Sequence, residues 1–372
     1  SLTSVTIPGS VTSIGYSAFG ECSSLSSVTI SNGVTSIRDR AFVGCSSLTS
    51  VAIPESVTSL ESQAFKGCSS LQSVIIADGV SGIAGGAFHS CPSLIDFDLG
   101  NNNTNYAVED GCLFNKEKTN LIQVPASKSG HYTIPASVTK IGDYALGGCT
   151  KLTSVTIPNS VITIGPFAFV DCTGLTSLTI GENVATIGDR AFMGCNALTS
   201  IYIPKSVSVI PSIDVESSFQ RMSSLAKIEV DSENEYFSSE DGVLFNKDKT
   251  RLISFPPAKI GHYSIPNTVT AIDREAFRYS KGLVSVEIPY SVISIGGWAF
   301  SETSLDEVTI PNPNTTLLGL GVFDNELDDH ITRAVFSSPL TYLVKGGSVT
   351  ITKCETSASG ALEIPSTYDG YP

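Results

Sequence analysis

A unit of 23 residues repeats along the chain, and this period constrains the fold more than any other feature. The unit reads L-x-x-V-x-I-P-x-x-V-x-x-I-G-x-x-A-F-x-G-C-x-x. Steps of 23 connect the leucines of a first run, and a second run opens at Leu152: Leu2, Leu25, Leu48, Leu71, Leu94; Leu152, Leu175, Leu198. Self-similarity at a fixed period of roughly 20–50 residues is typical of repeat proteins, in which each repeat contacts chiefly its neighbours. The sequence therefore predicts a solenoid instead of the separate globular domains that 372 residues would otherwise suggest.

Each repeat contains two short extended segments. In the first, LTSVTIP, Val5 and Ile7 alternate with Ser4 and Thr6, and this period of two predicts a half-buried β-strand. The Pro that follows ends the strand without cost to the ladder of hydrogen bonds. The second segment, V-x-x-I-G, predicts a shorter strand on the opposite side of the coil, with a bend at the Gly. The predicted fold class is therefore mostly β, with short parallel strands in stacked coils.

The Ala-Phe and Gly-Cys pairs predict two internal columns of side chains. Rings at one repeat position should stack between adjacent coils, so truncation of Phe192 to Ala is expected to cost about 3–5 kcal/mol. Ten phenylalanines share this position: Phe19, Phe42, Phe65, Phe88, Phe169, Phe192, Phe219, Phe277, Phe300 and Phe323. Seven of the nine cysteines share the other: Cys22, Cys45, Cys68, Cys91, Cys149, Cys172 and Cys195.

The spacing of the cysteines favours packing over chemistry. No CxxC pair occurs, and thiols 23 residues apart form a straight ladder where zinc requires converging ligands. The number of cysteines is odd, and Cys112 and Cys354 lie outside the ladder. Both observations argue against a framework in which all cysteines form disulfides. We therefore expect free, buried thiols, although neighbouring coils could bring two of them within bonding distance.

Two modules of 58 residues, 94–151 and 225–282, interrupt the period, and they resemble one another. Each equals one 23-residue repeat plus 35 residues. CLFNKEKTNLIQV in the first and VLFNKDKTRLISF in the second predict two strands joined by a polar turn. We expect a hairpin that projects from the side of the solenoid.

Several classes of function find no support in the sequence. A net charge of −14 without a cluster of Lys and Arg argues against a nucleic-acid partner. No sequence fingerprint of a catalytic site occurs. Acidic pairs such as Glu109-Asp110 lack the spacing of a calcium-binding loop. The sequence therefore predicts no cofactor and no metal. His131 and His262 hold matching positions in the two modules, which indicates structural equivalence. Because the chain opens at Ser1 in mid-repeat, we expect a fragment whose membrane anchor, if any, lies outside it.

The unit L-x-x-V-T-I-P-x-S-V-T-x-I-G-x-x-A-F-x-G-C closely resembles the BspA-like leucine-rich repeats, over about residues 2–323. The resemblance implies a right-handed leucine-rich-repeat solenoid over 1–334 and, at 335–372, a β-rich lead-in to a further array. It also implies a non-catalytic, monomeric module at the surface of an anaerobic bacterium or secreted from it. The implied function is adhesion, with a host matrix protein or another cell-surface protein as partner.

Departures from the repeat mark the candidate binding residues. The outward strand positions mostly carry Ser and Thr, whereas binding energy concentrates in larger anchors such as Tyr, Trp and Arg. The candidates are Asp96, Asp98, Tyr202, Lys227, Glu229, Tyr236, Glu287 and Glu307. We hypothesise that the ligand surface is the strand face from Tyr202 to Glu307, flanked by the second hairpin and by Tyr236. The alternative interpretation is that these residues are ordinary variation of an exposed surface.

Two rival functions are open at this stage. A carbohydrate-binding or enzyme-accessory region would use aromatic rings to stack on sugars, and Trp298, the only Trp, precedes an Ala-Phe pair at what should be an outer turn. An ice-binding solenoid would use the Ser/Thr ladder, but the irregular later repeats argue against it.

Overall fold

The computed structural model describes residues 2–210, 218–219, 221–319 and 321–323, and the backbone of 333–336, 340–345 and 348–354. The chain divides into two compact units, unit 1 (residues 1–196) and unit 2 (residues 197–372). Throughout the described ranges the regular secondary structure is β-strand, which confirms the predicted class. Accordingly, none of these residues belongs to a helix long and apolar enough to cross a membrane.

Unit 1 alternates long and short strands. Its strands are β1 (Ser4–Ile7), β2 (Ser13–Ile14), β3 (Ser27–Ile30), β4 (Ser36–Ile37), β5 (Ser50–Ile53), β6 (Ser59–Leu60), β7 (Ser73–Ile76), β8 (Gly82–Ile83), β9 (Asp96–Leu99), β10 (Tyr106–Glu109), β11 (Cys112–Asn115), β12 (Asn120–Gln123), β13 (Gly130–Thr133), β14 (Lys140–Ile141), β15 (Leu152–Thr156), β16 (Thr163–Ile164), β17 (Ser177–Thr179) and β18 (Thr186–Ile187).

Strands at equivalent positions of successive repeats pair in parallel. Ser4 lies opposite Ser27 and Ile7 opposite Ile30, so the pairing register equals one repeat. The long strands continue as β5-β7-β9 and β13-β15-β17, and the short strands form the sheet β2-β4-β6-β8. Coils stacked in this way, with strands about 4.8 Å apart, form a parallel β-solenoid, as the period predicts.

Unit 2 is built from the same elements. Its strands are β19 (Ser200–Ile203), β20 (Lys227–Val230), β21 (Phe237–Glu240), β22 (Val243–Asn246), β23 (Arg251–Ser254), β24 (Gly261–Ser264), β25 (Ala271–Ile272), β26 (Leu283–Glu287), β27 (Ser294–Gly296), β28 (Glu307–Ile310), β29 (Thr316–Leu318), β30 (Arg333–Phe336), β31 (Leu340–Lys345) and β32 (Ser348–Cys354). Most pairs are parallel, and β31 and β32 form an antiparallel hairpin. Because residues 355–372 lie outside the described ranges, the assignment of 335–372 as a β-rich lead-in to a further array stays a prediction.

The two modules contain the expected hairpins, but these hairpins do not project. In the first module β10, β11 and β12 form an antiparallel meander, and β12 then pairs in parallel with β14. The second module repeats this order with β21, β22, β23 and β25. Leu113 and Phe114 in β11 are fully buried. The expectation of a projecting hairpin is therefore wrong. A strand with a continuous apolar run is stable only when both of its faces are covered, so it lies within the wall of the solenoid.

The phenylalanine column is a stack of rings in the core. In unit 1 the centroids of Phe19, Phe42, Phe65 and Phe88 follow one another at 5.1, 5.0 and 5.6 Å, with interplanar angles of 7° or less. In unit 2, Phe277, Phe300 and Phe323 stack at 4.9 and 5.6 Å. Phe192 is also fully buried, and Leu146 takes the Phe position in the coil of the first module. The predicted aromatic spine is therefore confirmed within each unit.

The turn that carries the rings has its own hydrogen bonds between coils. The N–H of Phe42 donates to the carbonyl of Ala64 at 2.8 Å, and Gly44 donates to Lys66 at the same distance. Residues before Ala-Phe and before Cys have left-handed backbone, with φ of 56° at Arg40 and 69° at Gly44. The Gly of the Gly-Cys pair thus suits a backbone conformation that costs energy for other residues.

The cysteines of the ladder are free thiols that also donate hydrogen bonds. Cys68 Sγ lies 3.3 Å from the carbonyl oxygen of Phe42 in the preceding coil, and Cys195 Sγ lies 3.1 Å from that of Phe169. The eight cysteines from Cys22 to Cys195 are unpaired, as predicted. Burial raises the pKa of Cys45 to about 11 and that of Cys91 to about 12. The thiols therefore act as polar donors to the backbone as well as small apolar groups.

One histidine is buried in the core of unit 1. His89 is only 4% exposed, its ring centroid lies 5.1 Å from that of Tyr144, and its Nε2 lies 3.1 Å from Ser90 Oγ. A Cβ at Gly147 would lie 2.6 Å from His89 Nδ1, so the absence of a side chain there makes room for the ring. Burial, together with the charge of Lys66, lowers the pKa of His89 from 6.5 to about 4. The imidazole is therefore neutral in the folded chain at neutral pH.

Replacement of Phe65 by Ala is expected to lower the free energy of unfolding by about 3–5 kcal/mol, because a ring stacked on both sides is lost and a cavity remains. Phe65→Leu is the matched control, since Leu146 occupies the same column, and its cost should be below about 1.5 kcal/mol. Urea denaturation of both variants measures the difference. Equal stability of Phe65→Ala and the parent chain would contradict an internal column.

Thiol reactivity should separate exposed from buried cysteines. In a Cys354→Ser background, we expect a thiol reagent at pH 8 to label Cys22, which is half-buried, rapidly and the seven buried thiols slowly. The same unreduced chain should show all eight thiols after denaturation. A denatured count clearly below eight would reveal a disulfide.

Stability should depend on pH through His89. Because its folded pKa of about 4 lies below its ordinary 6.5, the unfolded chain binds the proton more readily between these values. The free energy of unfolding should therefore be highest above pH 6.5 and fall toward pH 4, by roughly 2–4 kcal/mol from this group. His89→Met, chosen because Met193 holds the equivalent repeat position, should lose that part of the slope. Parallel pH profiles of the two chains would refute the assignment.

Candidate protein-binding strand face

The best-defined group of candidate residues lies on β19 and β20 in unit 2. These strands pair in parallel, with Ser200 opposite Lys227 and Tyr202 opposite Glu229. Side chains alternate along each strand, so Ile201 points into the core while its neighbours are exposed. The pairing thus places Tyr202, Lys227 and Glu229 together on one outward surface, here named the Tyr202 face, where most other repeats carry Ser or Thr.

Hydrogen bonds and ion pairs organise the Tyr202 face. The hydroxyl of Tyr202, a side chain 43% exposed, donates to Asp231 Oδ2 at 2.5 Å. This bond, together with the N–H of Glu233, lowers the pKa of the Asp231 carboxyl. Lys227 Nζ lies 2.6 Å from Glu229 Oε1. Exposed pairs of this kind contribute little to folding stability, so their effect is to orient charged groups at the surface.

Tyr236 lies in the loop between β20 and β21 of the second module. Its side chain is 53% exposed, and its backbone N–H donates to Asn234 Oδ1 at 2.8 Å. Asn234 is buried and donates to the carbonyls of Pro204 and Val207. The loop is therefore fixed to the preceding coil, while the Tyr236 ring is left accessible.

The turn between β21 and β22 of the second module borders the Tyr202 face, whereas the hairpin predicted from the sequence is formed by β22 and β23. The N–H of Ile228 in β20 donates to the carbonyl of Gly242 at 2.8 Å, so the turn between β21 and β22 occupies the side of β20 where a further long strand would pair. Lys259 Nζ pairs with Asp241 Oδ2 at 2.7 Å in this turn. The turn between β21 and β22 therefore ends the row of paired long strands at β20.

The remaining candidates lie elsewhere. Asp96 and Asp98 are exposed on β9 in unit 1, opposite Ser73 and Ile75. Glu287 on β26 accepts a hydrogen bond from Ser264 Oγ at 2.5 Å, and Glu307 is exposed on β28. Among the eight candidates, Tyr202, Lys227 and Glu229 are therefore the group that strand pairing places on one surface together with an aromatic side chain.

The outward Ser and Thr positions do not form a regular lattice. In unit 1 the position of Thr6 and Thr29 is taken by Ala52, Ile75 and Asp98 in later coils. Flat, repeated hydroxyl spacing is what an ice-binding face would need, so this sequence of side chains does not favour that alternative.

Sequence reasoning missed a second surface cluster in unit 2. The Arg274 guanidinium lies 4.1 Å from the centre of the Trp298 ring, and Arg278 lies 5.0 Å from that of Tyr279. Trp298 lies in the outer turn before Ala-Phe, as predicted, with φ of 52°. The sequence signal was the pair of arginines one repeat before the Trp, which becomes meaningful only once the coil length is known.

Polar side chains on the strand faces serve packing between coils. His131 Nδ1 lies 2.7 Å from Ser154 Oγ, and His262 Nδ1 makes the matching contact with Ser285 at 2.6 Å. The two histidines are therefore structurally equivalent. Among the described side chains, no group of three or more His, Cys, Asp and Glu residues could hold a metal ion.

Comparison with known families identifies the repeat. The sequence profile of the BspA type leucine rich repeat region, which contains six copies, matches residues 1–119, 127–246 and 253–346. The chain belongs to the BspA-type leucine-rich repeat family. The gaps between the matched ranges, 120–126 and 247–252, each overlap the second strand of the hairpin in one module, β12 or β23, and the rest of both modules lies within the matched ranges.

Solved structures of leucine-rich repeat proteins from bacteria are similar to this chain. A leucine-rich repeat protein from Eubacterium ventriosum is 23% identical, with 88% of this chain and 84% of that chain covered and a TM-score of 0.56. A leucine rich cell surface protein from Faecalibacterium prausnitzii is 26% identical over 77% of this chain and 79% of its own, with a TM-score of 0.47. The pneumococcal vaccine antigen PcpA is 21% identical over 82% of each chain, with a TM-score of 0.47. The first likeness supports the leucine-rich-repeat fold, and the search of curated proteins gave no match.

Proposed function

We propose that this BspA-type chain is a non-catalytic binding module of a cell-surface or secreted protein. Its partner would be a protein of the host matrix or of another cell surface, bound through the Tyr202 face. The observation that carries the proposal is the concentration of Tyr202, Lys227 and Glu229 on two paired strands, at positions where most other repeats hold Ser or Thr. An exposed Tyr with charged neighbours is the kind of anchor around which protein interfaces are built.

The charge of the surface suggests the character of the partner. Asp231, Glu229 and Glu233 surround the Tyr202 face, while Lys205 and Lys227 each pair with one of these carboxylates. The local charge is therefore negative, in keeping with the net charge of −14 of the chain. A partner with a basic surface would be steered toward this face, and binding should weaken as ionic strength rises.

The test is capture of purified extracellular matrix proteins and intact bacterial cells, followed by affinity measurement on each protein captured. We expect Tyr202→Ala combined with Lys227→Ala to weaken binding by roughly 10-fold or more, because an anchor and its charged neighbour are lost. Ser27→Ala with Thr29→Ala, on the strand face of unit 1, is the matched control and should leave affinity unchanged. Unchanged affinity of the Tyr202/Lys227 variant, with its fold intact by circular dichroism, would refute the proposal.

A further inference from the structure

A polar cleft of about 400 Å³ opens in unit 1 where the first module interrupts the sheet of short strands. The sheet β2-β4-β6-β8 ends at β8, and the next sheet begins with β10. The cleft lies at this break, with side chains or backbone of β8, β10, β12 and β14 as its walls. Its volume falls in the range of roughly 300–1,000 Å³ that is usual for small-molecule sites.

The second module provides an internal comparison, because its residues lie 131 positions after those of the first. Arg251 and Asp273 stand there where the first module has Asn120 and Gly142. Arg251 binds the buried Asp273 carboxylate through two contacts, Nε to Oδ1 at 3.1 Å and Nη2 to Oδ2 at 2.7 Å. In the first module both partners of this pair are replaced by smaller, uncharged residues, and the cleft is lined by those replacements.

The backbone around the replaced pair is the same in both modules. The N–H of Asn120 donates to Asn115 Oδ1 at 2.7 Å, and the N–H of Arg251 donates to Asn246 Oδ1 at 2.8 Å. The difference between the modules is therefore one of side chains on a common frame.

Asn120 presents an acceptor that the described residues leave unsatisfied. Its Oδ1 atom is buried, and no donor among the described residues lies within hydrogen-bond distance. A buried acceptor without a donor costs free energy. A ligand that carries a hydroxyl group would supply the missing donor once the Asn120 side chain rotates to bring Oδ1 to the surface of the cleft.

The other walls restrict the chemistry of such a ligand. Lys140 and Asp143 are exposed at the cleft and bring one positive and one negative charge, so neither an anion nor a cation is favoured as a whole. Asn105 and Asn115 contribute amides, and half-buried Ile122 contributes apolar surface. Amides and charged groups around a small apolar patch suit a neutral polyhydroxyl compound.

We propose that this cleft binds a neutral sugar residue, with Asn120 Oδ1 as acceptor for a sugar hydroxyl. The site is independent of the Tyr202 face, which lies in unit 2. It would give the chain a glycan-binding activity in addition to the capture of protein.

The test uses ligand-observed NMR with the methyl glycosides of glucose, galactose, mannose, fucose, N-acetylglucosamine and N-acetylgalactosamine. We expect saturation transfer from the intact chain to at least one glycoside. Asn120→Arg combined with Gly142→Asp, which copies the pair of the second module, should fill the cleft and weaken that binding roughly 10-fold or more. No transfer to any of the six glycosides, or equal binding by this variant, would overturn the proposal.

Two further variants keep the result interpretable. A Cβ at Gly142 would lie 2.8 Å from the carbonyl oxygen of Leu121, so the Asp substitution requires a small backbone shift. Asn120→Ala avoids that shift, removes the acceptor and should also weaken binding; unchanged binding would refute the role of Asn120. Tyr202→Ala with Lys227→Ala should leave sugar binding unchanged, and a loss there would contradict an independent site in unit 1.

Discussion

Hydrogen bonding between successive coils is the constraint on which the rest of the structure depends. A single coil cannot bury its leucine, phenylalanine and cysteine side chains alone, and it becomes stable only when its strands pair with those of the next coil. The strands pair with an offset of one repeat, so residues at the same repeat position lie side by side, as Ser4 and Ser27 do. Ring stacking and thiol contacts in the core follow from this register, because each places one repeat position above its copy.

Much of this architecture could be predicted from the period. Alternation in LTSVTIP gives the long strand, V-x-x-I gives the short one, and the recurrent Ala-Phe gives the ring column. The position of the hairpins could not, because the buried Leu113 and Phe114 look the same in sequence whether a hairpin projects or replaces part of the wall. Hydrogen bonds from Cys68 to the backbone of Phe42 were equally hidden, since they depend on distances between coils.

The candidate sites were predictable to different degrees. Tyr202 stands out in sequence because it replaces Thr, but its bond to Asp231, 29 residues later, reflects the three-dimensional path of one longer coil. The cleft at Asn120 gives no signal of its own, because Asn and Gly are common in turns. It is recognised only when the two modules are superposed in sequence and the Arg251–Asp273 pair of the second is known. Duplicated modules therefore carry information in their differences, while their common residues maintain the fold.

The buried thiol ladder has a consequence for the environment in which the chain can persist. Exchange with external disulfides and reaction with peroxides both proceed through the thiolate, and the raised pKa values of Cys45 and Cys91 keep that form scarce. The stacking of the coils thus requires neither an oxidising compartment to form cross-links nor a reducing one to protect them. The buried thiols of such a chain can pass from anoxic surroundings into aerated ones without oxidation, whereas half-buried Cys22 is open to reaction.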